Sequence, residues 1–172
     1  RLYPQVKNNN EIHVVYPGVS DMFFDSSKVT SNALGDYLVY VGAIEPRKNI
    51  DRAIKVFAEL IKNPKYANYK FLIGGRAGWK NEHIFALVKS LDLTDKVIFL
   101  GYVKDDDLPS LYRHAKVCLY LSEYEGFGLP PLEAAACGTP TLLYNHSSLG
   151  ELFPASYPYA NKGSELATLI KL

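Results

Sequence analysis

The sequence has almost no surplus charge of either sign: 19 Lys and Arg stand against 18 Asp and Glu, a formal net charge of +1. A chain so balanced has no global field to draw nucleic acid or an anionic membrane, so any anion it recognises must be met locally. Its longest strongly apolar runs are only strand-sized, which excludes a transmembrane helix from the reading. Cysteine is scarce. Cys118 and Cys137 lie outside any CxxC or Cys/His pattern and read as buried free thiols, the state favoured in a reducing compartment. The four histidines, His13, His83, His114 and His146, make neither HxxxH nor HExxH spacing, and there is no GxSxG or P-loop. The 13 tyrosines are scattered and follow no pattern. The first residue is Arg1, read as a fragment boundary that leaves targeting signals unjudged.

What is present is ordinary globular material. The 172 residues are 48% hydrophobic and 22% charged, enough for one α/β domain with a sizeable core. "IHVVYPG", residues 12–18, is an extended apolar run stopped by Pro-Gly. Strands are predicted at Tyr37–Gly42, 70–75, 96–100, 117–121 and 140–144, each a near-continuous apolar run. Between them Ile50, Ala53, Ile54, Phe57, Leu60 and Ile61 fall at helical spacing, with Asn49 as N-cap and Asp51 in the first turn. Further helices are predicted over 81–91, 106–115, 130–137 and 148–152, with a last one from Ser164. The alternation predicts a Rossmann-like, doubly wound, mostly parallel sheet of about six strands with helices on both faces. Ligands then belong at the carboxyl ends of the strands. The chain stops within that last helix, at "ELATLIKL", as though more followed.

Loops leaving predicted strands carry the suggestive residues. In "GAIEPRKN", Gly42 permits a close turn, and Arg47 and Lys48 stand at a helix mouth whose N–H groups are unpaired. Two cations there form an anion site; the alternative is two solvated surface charges. In "SEYEGFGLPPLE", Gly126 and Gly128 can offer backbone N–H groups to a ligand, and Pro130 and Pro131 suit a first helical turn. Glu133, one turn in, is placed to accept from a vicinal diol such as ribose, and Glu125 from a sugar hydroxyl. Acidic residues near a helix start also suit the helix dipole, which accounts for Glu133 but not for the paired glycines. "GYVKDDDL" reads first as an acidic cap, although the backbone at Tyr102 and Val103 could edge a base pocket. "GGRAGW" lacks dinucleotide-binding spacing, but Arg76 within it is a candidate base or phosphate contact.

Taken in order, "VGAIEPRKN", "FLIGG", "VIFLGYVKDDDLPSLYRHA" and "EGFGLPPLEAAACGTP" resemble the carboxyl-terminal, donor-binding domain of retaining GT-B glycosyltransferases of the group 1 family. The resemblance covers about residues 12–172, and its most specific element is the E-x7-E pair around GFG. It implies that Glu133 binds the donor ribose and that Glu125 with the Gly126, Phe127, Gly128 and Leu129 backbone holds donor sugar and diphosphate. Lys48 matches the family's diphosphate-binding lysine. Many members carry Arg where this chain has Ala43, and Arg47 is expected to supply that charge. The catalytic set so implied is Glu125, Lys48 and Arg47; the donor-binding set adds Gly42, Arg76, Tyr102 and Val103.

The implied reaction is sugar transfer from a nucleotide diphosphate with retention, the leaving diphosphate being stabilised electrostatically without a metal. GDP-mannose ranks first as donor, by the likeness of "EPRKN" to polysaccharide and lipopolysaccharide assembly enzymes. No cofactor beyond the sugar nucleotide is expected, and no nucleic acid. The family's enzymes have two domains, so residues 1–18 read as a linker from a missing amino-terminal half and 19–172 as the donor domain. By itself such a half should not turn over. Its acceptor, a glycan or lipid-linked sugar, would be bound through the missing half. The expected setting is cytoplasmic or at the inner membrane face, with peripheral membrane association of the full-length enzyme. Two other readings stay open: a sugar-nucleotide epimerase of the same architecture, and a non-catalytic nucleotide-binding or partner-docking domain.

Overall fold

The computed structural model describes residues 13–27, 34–76, 78 and 81–172. Five strands form one sheet among these residues: β1 (Tyr37–Val41), β2 (Lys70–Gly74), β3 (Val97–Gly101), β4 (Val117–Tyr120) and β5 (Thr141–Leu143). Their order is β3-β2-β1-β4-β5, and every pairing is parallel. The helices are α1 (Ile50–Leu60), α2 (Glu82–Ser90), α3 (Leu108–His114), α4 (Leu129–Ala136), α5 (Leu149–Leu152) and α6 (Glu165–Leu169). They pack in two groups, α1 with α2 and α6, and α3 with α4. Right-handed crossovers over this strand order put the two groups on opposite faces.

Burial explains the composition of the strands. All of β4 and all but the last residue of β1 are buried, as expected of strands covered on both faces. On α1, Ile50, Ala53, Ile54, Val56, Phe57 and Leu60 are buried and Lys55 is exposed, so the predicted apolar stripe is the packed one.

Three sequence expectations change. The sheet has five strands among the described residues where about six were expected, and the extended 12–18 run lies outside it, with Val14 and Val15 78% and 84% exposed. The predicted helix over 106–115 divides into a 3₁₀ turn at Asp105–Asp107 followed by α3, with Pro109 in its first turn. Asn49 precedes α1, but in a left-handed conformation (φ 56°, ψ 37°) and with no side-chain capping bond. Its amide serves elsewhere.

The tyrosines also acquire meaning. Tyr37, Tyr40, Tyr112, Tyr120 and Tyr144 are among the largest fully buried side chains. Each hydroxyl finds a partner, as burial of a polar group demands. Near the end of the chain, Glu165 is 1% exposed and accepts from Arg52 Nε (2.9 Å), Arg52 Nη2 (2.6 Å) and Tyr144 Oη (2.5 Å). This cluster locks α6 onto α1 and the end of β5.

Candidate functional site

The sheet reverses its winding between β1 and β4, the place where an open α/β sheet leaves a crevice at its carboxyl edge. The loops from these two strands are stitched together there. Ser122 Oγ and the Glu123 N–H both donate to Arg47 O, at 3.1 and 3.0 Å. Asn49 Nδ2 donates to Leu121 O at 3.1 Å and to Glu123 Oε1 at 3.2 Å. The left-handed backbone at Asn49 ends the 3₁₀ turn Pro46–Lys48, in which Lys48 is a buried residue.

Lys48 is 7% exposed and Glu125 is 6% exposed. Lys48 Nζ donates to Glu125 Oε1 at 2.5 Å and to Tyr120 Oη at 3.1 Å. The Tyr120 ring stacks on Tyr40, with centroids 5.6 Å apart. Arg47, about half exposed, lies with Nη1 3.4 Å from Glu125 Oε2 and 3.1 Å from Tyr124 O, while Nε donates to Glu45 at 3.0 Å. Lys48 is therefore no solvated surface charge; Arg47 keeps one side in water. Burial works to raise the Glu125 carboxyl, but the hydrogen bond from Lys48 and the lysine charge outweigh it and hold the group below its ordinary value.

The glycine loop sits beside this pair. Gly126 is exposed, Phe127 half-buried, and Leu129 36% exposed. No hydrogen bond among the described residues takes the N–H of Gly126, Phe127 or Gly128. Gly128 precedes α4 at φ 107°, where a Cβ would come within 2.6 Å of Leu149 Cδ2. Any other residue would strain the backbone there and displace the Leu149 side chain. At the first loop, Gly42 has φ 149°, and a Cβ on Gly75 would lie 1.9 Å from Gly42 O, so the exits of β1 and β2 touch backbone to backbone.

Arg76 and Tyr102 lie beyond β2 and β3, the guanidinium 5.2 Å from the ring centroid, both exposed. Val103 is half-buried against Gly74. Glu133 has a different partner from Glu125. Tyr112 Oη donates to its Oε2 at 3.3 Å, and it belongs to no hydrogen bond of the Lys48 network. Burial raises its carboxyl, with the nearby Asp105 charge adding and the Tyr112 bond opposing. The structure thus joins Arg47, Lys48 and Glu125 directly, pairs Arg76 with Tyr102, and leaves Glu133 with Tyr112.

Sequence reasoning missed Tyr120, Ser122, Ser147 and Ser148. Ser147 Oγ accepts from the Glu125 N–H at 3.0 Å, and Ser148 Oγ lies 2.6 Å from Phe127 O. Two adjacent serines after a strand gave the only signal, and it is a weak one. Among the described residues no group of three or more His, Cys, Asp or Glu is placed to hold a metal ion, and no helix is long and apolar enough to cross a membrane.

Residues 21–157 match the family model described as glycosyl transferases group 1. The chain is 40% identical over 116 residues to O-antigen chain mannosyltransferase B of Escherichia coli, covering 67% of this chain and 30% of that protein. It is 35% identical over 151 residues to mannosylfructose-phosphate synthase of Agrobacterium fabrum, covering 80% and 33%. It spans about a third of the length of these two relatives. Among solved structures, WaaG, a glycosyltransferase involved in lipopolysaccharide biosynthesis, superposes with a TM-score of 0.77 at 19% identity, over 95% of this chain and 48% of that one.

Proposed function

The chain belongs to the group 1 glycosyltransferases, and on that premise we propose that its carboxyl edge binds a nucleotide-diphosphate sugar for transfer, with retention, to a glycan or lipid-linked acceptor. The observation that carries this reading is the buried Lys48–Glu125 pair beside the Gly126–Gly128 N–H groups, which are unpaired among the described residues. An ammonium group has three N–H donors. Glu125 and Tyr120 take two, which leaves one for a phosphate oxygen.

The donor diphosphate would meet that third N–H, the Arg47 guanidinium and the loop amides together. These groups are preorganised, so charge growing on the leaving diphosphate is stabilised without reorganisation in water. Glu125 would accept from a sugar hydroxyl while remaining the counter-ion of Lys48. Glu133, on the first turns of α4 and held by Tyr112, would take the ribose diol. Gly42, which keeps the first loop low, and Arg76, Tyr102 and Val103 would border the base. The names of the two relatives favour a mannosyl donor, which agrees with GDP-mannose as first choice. The setting that follows is polysaccharide or lipopolysaccharide assembly, in the cytoplasm or at the inner membrane face, with the acceptor bound outside residues 19–172.

The test is calorimetry of this chain with GDP, UDP and ADP, supported by thermal shift. A true donor site binds at least one and gains stability with ligand concentration. No binding to any of the three refutes the reading.

A further inference from the structure

Glu125 is held from two directions. Its carboxylate is gripped by Lys48 and Arg47, and its backbone is gripped from a third loop, the one after β5. Ser147 Oγ accepts from the Glu125 N–H at 3.0 Å. Ser148 Oγ lies 2.6 Å from Phe127 O and 3.1 Å from Glu125 O. A hydroxyl has one proton, so the shorter contact to Phe127 is the principal bond and the Glu125 carbonyl shares it.

The loop that carries the two serines is itself tightly set. Ser147 has φ 49°, a left-handed conformation uncommon outside Gly, Asn and Asp. Such a conformation persists where its surroundings over-determine it, and it points to a role. A Cβ on Gly150 would lie 2.1 Å from Asn145 Oδ1, so the same loop folds back on its own start. Leu149, the next residue, packs against Gly128 at the head of α4. The serines therefore reach the glycine loop from a firm base.

We propose that Ser147 and Ser148 are positioning residues of the donor site. They fix the Glu125–Phe127 backbone at the height where the Glu125 carboxylate meets Lys48 and where the following N–H groups stay unpaired. This rests on the donor-site reading above. Loss of either hydroxyl frees the backbone that carries Glu125, so the sugar end of the donor suffers more than the nucleotide end.

The readout is the ratio of affinities for a sugar nucleotide and its free nucleoside diphosphate, measured on this chain. The probes are GDP-mannose with GDP, UDP-glucose with UDP, and ADP-glucose with ADP. Ser147→Gly removes the hydroxyl and tolerates the left-handed backbone; Ser148→Ala removes the second hydroxyl. In both, the ratio falls about five- to tenfold, the scale of one hydrogen bond. It returns in Ser147→Asn, which accepts αL and keeps an acceptor, and in Ser148→Thr. A ratio unchanged from wild type, even if both affinities fall, reduces the serines to loop stabilisers and overturns the proposal alone. A wild-type chain that binds none of the probes removes the donor reading and this proposal with it. Hydrogen exchange on the unliganded wild type needs no variant to fold. The Glu125 amide should be protected and the Gly126 amide not, and equal exchange overturns the clamp.

Discussion

Lys48 and Glu125 stand 77 positions apart in the chain and meet inside the protein, Nζ 2.5 Å from Oε1, with 7% and 6% of their surface exposed. Desolvating both charges is costly, and Tyr120 and Arg47 offset that cost by completing the hydrogen bonding. A pair that only stabilised the fold could be replaced by apolar side chains at little cost. Its position at the winding reversal of the sheet supports a ligand-binding use.

Lys48→Ala should weaken nucleoside-diphosphate binding by about 1.5–3 kcal/mol, the scale of a charge-assisted hydrogen bond. Wild-type affinity should fall with added salt if the phosphates dominate recognition. Calorimetry at two ionic strengths measures both. An unchanged affinity in Lys48→Ala would confine the lysine to holding Glu125.

The two glutamates should separate. Glu133→Gln should weaken both nucleoside diphosphate and sugar nucleotide if, as proposed, Glu133 holds the nucleoside. Glu125→Gln should spare the nucleoside diphosphate and weaken the sugar-bearing donor. In a full-length enzyme it should lower the transfer rate too, because contacts to the reacting sugar strengthen toward the transition state. Equal losses for both ligands in Glu125→Gln would assign that carboxylate to the loop.

Tyr120→Phe should cost about 1 kcal/mol of stability, by removing one acceptor from Lys48 while keeping the stack on Tyr40. Nucleoside-diphosphate affinity should stay within about twofold, since the freed N–H remains available to phosphate. Thermal unfolding and calorimetry on the same sample check the two halves.

Acid should remove the stability that Glu165 on α6 contributes. Burial opposes ionisation of Glu165, yet hydrogen bonds from Arg52 and Tyr144 hold its carboxyl down at about 2, against an ordinary 4.5. A carboxyl depressed on folding contributes its full stability above the ordinary value. That contribution is lost as pH falls from 4.5 toward 2. Glu125, also lowered, adds to the same slope, whereas Glu133, raised by burial, opposes it. Glu165→Gln should therefore flatten the acid limb of a stability–pH curve. At neutral pH it should cost about 2–3 kcal/mol, less than for a fully buried pair because Arg52 stays partly solvated. An unaltered acid limb would remove Glu165 from the account.

By itself the sequence determined the alternation of strands and helices, because burial on both faces of a parallel sheet writes itself as continuous apolar runs and a helix face as a 3.6-residue period. It marked the glycine loop as well, since Gly126 and Gly128 followed by two prolines read as a loop entering a helix. It also brought Lys48, Glu125 and Glu133 to notice by their places after strands. It marked "IHVVYPG" as extended and apolar, but hydrophobicity does not say whether sheet or solvent receives such a run, and Val14 and Val15 are exposed. Only the tertiary structure decided that Lys48 and Glu125 neutralise each other, that Tyr120 and Asn49 tie β1 to β4, and that Ser147 and Ser148 carry the glycine loop from behind. Those partners lie more than 20 positions apart. A hydroxyl or amide leaves no periodic mark on the sequence, so its partner is fixed only when the order of the strands brings the loops together.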